Sequence, residues 1–141
     1  MAEPRRLGRS VAAVVAGLLV NVIPAVAIDA GLSAAGVFPP LGQRMPDGLL
    51  ALALSYRFGL ALASGAATAS LAPRSPRAHA LVLGGIGVVL STVGAIVGKD
   101  LGPAWYPLSL VVISLPCAWS GAWWATRRSA AKAPATPLSG G

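Results

Sequence analysis

The chain has 141 residues, 55% of them hydrophobic and 11% charged, with a mean hydropathy of +0.73. A soluble domain carries about a quarter charged residues, so this composition excludes a fold wetted on all sides and leaves a one-domain membrane protein. The net charge of +7 is not a nucleic-acid signature, because the basic residues gather at segment ends without an aromatic-interleaved stripe; anionic lipid headgroups at the cytoplasmic face are the expected partner.

Residues 1–9 form a basic cytoplasmic N-terminus with Arg5, Arg6 and Arg9. The first predicted span covers 10–32, long enough to cross a bilayer, which takes about 20 mainly apolar residues. An alternative is a cleaved signal peptide, since "RRLGRS", an apolar run and "AVA" at 25–27 have its layout. Retention is favoured by the length of the run and by Asp29, which has a partner further on. Ala13, Gly17 and Asn21 share one arc of this span. The loop 33–48 contains Phe38, Pro39 and Pro40, ordinary helix-end and turn signals.

The second span, 49–72, contains "LALSYRFGLALASG", with Arg57 in an apolar run. Ser64 and Thr68 fall within about 20° of Arg57 on a helical projection. That small, polar face is expected to turn inward, because intramembrane charges avoid lipid. Arg57 lies roughly 13 Å from the start of its span and Asp29 roughly 5 Å from the end of the first. Side chains lean toward their helix N-terminus, so in an antiparallel pair Asp29 and Arg57 converge. An Asp29–Arg57 ion pair is therefore expected, with Tyr56 and Asn21 as candidate second partners.

The third span, 78–98, sorts its residues by face. Gly84, Gly87, Ser91, Gly94, Ala95 and Gly98 fall in an arc of about 100°, and branched residues occupy the rest. Small faces let helices approach closely in membranes, so Gly84, Gly87, Ser91, Gly94 and Gly98 are the expected helix-packing residues. The fourth span, 103–126, has Trp105 and Tyr106 at one end and Trp123 and Trp124 at the other, the levels where aromatic rings settle. Pro24 and Pro116 remove backbone donors from spans one and four. The tail 129–141 is small, polar and proline-containing, and is expected to be disordered.

Direction follows from the basic residues. Arg5, Arg6, Arg9, Arg74, Arg77, Arg127, Arg128 and Lys132 fall on one side, and Arg44 and Lys99 on the other. By the positive-inside rule both termini are cytoplasmic. The fold class expected is an all-α integral membrane protein of the bacterial inner membrane: a four-transmembrane-helix up-down bundle over 10–128.

Catalytic chemistry is not expected. The chain has one histidine and one cysteine, too few for the three or four ligands of a structural metal site. The topology sets His79 opposite Asp29, Asp47 and Asp100, so no nucleophile–base pair assembles. No cofactor is expected. "GGIG" at 84–87 lacks the strand and lysine of a phosphate loop. In size and span number the chain resembles small multidrug-resistance transporters. That resemblance implies a membrane-embedded glutamate in the first span, where this chain has Asn21 at mid-depth and Asp29 near the end. The departure argues against proton-coupled cation export.

Two functions follow. The first is a small structural or accessory subunit that packs on a second copy or another membrane protein through Gly/Ala-rich faces. The second is a subunit of a homo-oligomeric transporter or channel with its polar site at Asp29 and Arg57.

Overall fold

The structure, a computed structural model, describes residues 3–133. Among the described residues are four helices and no strand: α1 (Glu3–Ala34), α2 (Asp47–Leu71), α3 (Pro76–Val97) and α4 (Trp105–Lys132). All four are long and apolar enough to cross a membrane, where a helix satisfies its own backbone groups. This is the pattern of a multi-pass membrane protein.

Two boundaries differ from the sequence expectation. The first helix begins at Glu3, so Arg5, Arg6 and Arg9 lie on its opening turns and not on a separate segment. Its 32 residues make a rod longer than the apolar layer, at 1.5 Å per residue against about 30 Å. The fourth helix continues through Ser129–Lys132, where the tail was expected to start. Alanine and lysine favour helix, and the Ser129 hydroxyl donates to the Ala125 carbonyl at 3.1 Å. The helix stops at Ala133, which is extended (φ −62°, ψ 127°), as the residue before Pro134 must be. The rest of the expected tail, 134–141, lies outside the described residues. Both α1 and α4 run unbroken through Pro24 and Pro116.

The exit from α1 is a Schellman turn. Gly36 sits at φ +73°, its N–H bonds to Ser33 O (3.0 Å), and Val37 N–H reaches back to Leu32 O (2.9 Å). Glycine fits the left-handed position without strain. Between α2 and α3 the turn is tight, with Ser75 left-handed at φ 46° before Pro76 opens α3.

Contacts fix the neighbours. Gly17 lies against Ser64 and Thr68, and Asp29 reaches Tyr56 and Arg57, so α1 and α2 run antiparallel. Gly84 meets Leu115 and Ala118, and Gly87 meets Ser114, so α3 and α4 do likewise. Gly65 rests on Ala118, and Ala69 clusters with Ala122 and Ala125, so α2 and α4 run parallel. Helix α1 touches α3 lightly and α4 not at all. Around the bundle the order is α1, α2, α4, α3.

The end bearing Arg5, Lys132 and the 72–75 turn is hereafter the terminal half. Its core is built from small residues: Ala69, Ala80, Ala122 and Ala125 form one buried cluster. Three glycines seat backbone on backbone. A Cβ at Gly65 would fall on the Ala118 backbone, one at Gly121 on Leu62, and one at Gly17 on the Thr68 hydroxyl. Without a hydrophobic drive between helices in lipid, such close approach is what holds them. At the end of α4, Arg127 stacks on Trp123 and Arg128 on Trp124, each 4.0 Å from the ring centroid, pairs that suit a headgroup layer. The branched face of α3 is exposed, including Val82, Val89, Val93, Ile96 and Val97.

Candidate functional site

The other end, with loops 35–46 and 98–104, is the loop half, and there the helices stand apart. A cavity of about 730 Å³ opens between them, with lining from all four helices. The two loops roof it and are tied together by the Met45 N–H donating to Leu101 O at 3.4 Å. Phe38 is buried beneath the first of them.

One wall carries the ion pair. Arg57 Nη2 donates to Asp29 Oδ2 at 2.5 Å, and the Tyr56 hydroxyl donates to Asp29 Oδ1. The two charged side chains are 32% and 34% exposed, so they face the cavity and are not sealed in the core. It is the only ion pair among the described residues. The sequence logic behind it is the lean of side chains toward helix N-termini: α1 and α2 point their charges at one another because they run in opposite directions. Arg57 also stands 5.9 Å from the Tyr56 ring centroid. Its Nε is buried without a partner.

Asn21 is not a partner of the pair. It lies eight residues from Asp29 on the same helix, about 12 Å along the axis, and lines the deep part of the cavity. The small face of α3 divides between two roles. Gly84 and Gly87 pack on α4: a Cβ at Gly84 would stand 3.0 Å from Leu115 Cδ2, and one at Gly87 3.2 Å from Ser114 Oγ. All five expected packing residues line the cavity, and Gly94 and Gly98 do so without packing on another helix. Gly94 has nothing within 4 Å of where a Cβ would point, and Gly98 meets only the Gly94 carbonyl of its own chain segment. Within this chain Gly94 and Gly98 therefore have no neighbouring helix against them. The reason is the divergence of α3 from α1 and α4 toward the loops.

Two contributors escaped the sequence reading. Tyr106 and Lys99 line the cavity from the second roof loop and the start of α4. Gly121, a close-approach residue, stands in the series Cys117, Gly121, Ala125, all buried; its spacing of four is the small-residue signal that marks a packing seam. The face of α2 was legible: Ala53, Ser64 and Thr68 are buried and Arg57 is half-buried. His79 sits at the start of α3, with Nδ1 3.1 Å from Ser75 O, remote from the ion pair. No protein-family model matches the chain, and neither a curated protein nor a solved structure matches it.

Proposed function

We propose that the chain is a multi-pass protein of the bacterial inner membrane, an up-down bundle with both termini cytoplasmic, that binds a ligand in the outer half of the bilayer. The observation that carries this reading is the cavity in the loop half with the ion pair on its wall. Intramembrane charges that face a cavity mark ligand or ion pathways, and 300–1,000 Å³ is the range of small-molecule sites. The alanine cluster closes the terminal half, so passage across the membrane would need a rearrangement or an assembly of copies.

The test is substituted-cysteine labelling in intact cells, with Cys117→Ala removing the native thiol. Gly94→Cys and Ser91→Cys should react with a small membrane-impermeant maleimide added outside. Val89→Cys, on the exposed branched face of α3 in mid-span, should not. Silence at both cavity positions, or external labelling of a cysteine added at either terminus, sinks the reading.

One observation favours a second reading, the accessory subunit. Gly59 has no atom within 4 Å of a Cβ position and Ala63 is exposed on the same face of α2. This leaves a small-residue pair free for another helix. Gly59→Leu should then disrupt crosslinked dimers or a partner complex without altering Gly94→Cys labelling.

A further inference from the structure

The cavity carries more positive than negative charge. Both carboxylate oxygens of Asp29 are engaged, one by Tyr56 and one by Arg57. A guanidinium has five N–H donors, and among the described residues Arg57 uses one of them, on Asp29. Lys99 lines the same cavity and has no ion-pair partner among the described residues. The charged lining is therefore Arg57 and Lys99 against Asp29 alone. The charged lining is thus net positive, which favours an anion over a cation, and an anion meets donors of Arg57 that Asp29 does not use.

The lining also changes character with depth. Asp29, Lys99 and Tyr106 stand near the loops and Arg57 leans toward them from deeper in α2, whereas Leu18 and Leu83 line the deep end together with the amide of Asn21. The deep hydroxyls of Ser64 and Ser114 turn to their own helices, donating to Ala61 O at 2.9 Å and Leu110 O at 2.6 Å. On its α1–α3 side the cavity runs between Val22 and Asp29 of one helix and Ser91 and Gly94 of the other. These helices close only near Gly17 and Leu83.

We propose that the ligand is an anionic amphiphile: an acidic oxyanion head held by Arg57, with Lys99 adding positive charge to the same cavity, and one hydrocarbon chain lying along Leu18 and Leu83 in the deep end. The proposal rests on the ligand-binding reading above and names its chemistry. Charge-assisted bonds from a guanidinium are the strong recognition element for such a head, and burial of the chain adds affinity in proportion to its apolar area.

The experiment uses the full chain in phosphatidylcholine nanodiscs. Binding of dodecyl phosphate, dodecylphosphocholine and dodecyltrimethylammonium is followed by native mass spectrometry, with inorganic phosphate as competitor. Dodecyl phosphate should bind at least about tenfold more tightly than the other two, and Arg57→Gln should erase that preference. Lys99→Gln, at an exposed side chain that no described contact holds, should weaken it about threefold without affecting folding. Gly94→Leu, which projects a side chain into the cavity without replacing either member of the ion pair, should abolish binding of all three. Equal binding, a preference for the ammonium, or displacement of the lipid by inorganic phosphate alone would overturn the proposal. If the ammonium or the phosphocholine binds and Gly94→Leu abolishes it, the cavity is a ligand site of another class. If none binds and Gly94→Cys is also silent to maleimide, the ligand-binding reading itself falls.

Discussion

The terminal and loop halves of the bundle use the same residue type for opposite ends. In the terminal half, Gly17, Gly65, Gly84 and Gly121 let backbones meet, and alanines fill what remains. In the loop half, Gly94 on the same face of α3 lines open space, and Gly98 just past the helix end meets no neighbouring helix. A glycine in a membrane helix therefore has no fixed meaning: it brings a neighbour close where one is present and widens a cavity where none is. What decides is the divergence of the helices, and divergence brings the charged residues with it. The half with close backbone contact holds no ion pair among the described residues, and the half with space holds the Asp29–Arg57 pair.

The largest expected effect breaks the close half. Gly65→Leu and Gly121→Leu place side chains on the backbone of Ala118 and Leu62, where overpacking costs about 1–3 kcal/mol or more because backbone cannot yield. Membrane abundance and thermal stability in detergent should collapse. Gly94→Leu, in the open half, should leave both near wild type. Equal damage at Gly65 and Gly94 would erase the distinction between the halves.

Next comes the ion pair. Arg57→Leu with Asp29 retained strands a carboxylate. Fully buried pairs cost about 3–5 kcal/mol to break in this way. This pair is about one-third exposed, so a loss of roughly 1–3 kcal/mol is expected. Asp29→Asn combined with Arg57→Leu should recover most of the melting temperature if the pair only fixes the helices. Ligand binding should stay lost in the double variant if the cavity has the role proposed.

Smaller still is Tyr56→Phe, which removes one hydrogen bond to Asp29 and should cost about 0.5–1.5 kcal/mol while leaving the Arg57 contact in place. The smallest change is Thr68→Val. The Thr68 hydroxyl is buried with no hydrogen-bond partner and rests against Gly17. Replacing it with a methyl of the same shape should be neutral or slightly stabilising, measurable as an unchanged or raised melting temperature. A clear loss there would mean that the hydroxyl has a partner.

The four helices and their approximate limits were legible because an apolar run of spanning length has one stable conformation in lipid. The Asp29–Arg57 pair was legible for a similar reason: a charge among apolar neighbours narrows its own options, and side-chain lean tells where each end points. The fate of Gly94 was not. Periodicity along α3 shows which residues share a face but not what stands opposite, and that depends on the order α1, α2, α4, α3 around the bundle. Asn21 failed as a partner for the same cause, since polarity and depth suggested proximity that the axial rise forbids. Lys99 became a cavity residue through the path of a loop and Tyr106 through the placing of the first turn of α4 beside it, neither of which a helical pattern encodes.

The position of α4 has a consequence for how the protein is made. Helix α2 meets α3 far less than it meets α1 and α4, and its Gly65 has its seat on Ala118. While the chain is being synthesised, the first three helices can enter the bilayer with that face of α2 still turned to lipid. The tight turn at Ser75 then holds the second hairpin beside the first until its last helix arrives. Helix α4, translated after the other three, thus completes their core, and a chain truncated before α4 should remain in the membrane as loosely tethered spans, open to quality-control proteolysis.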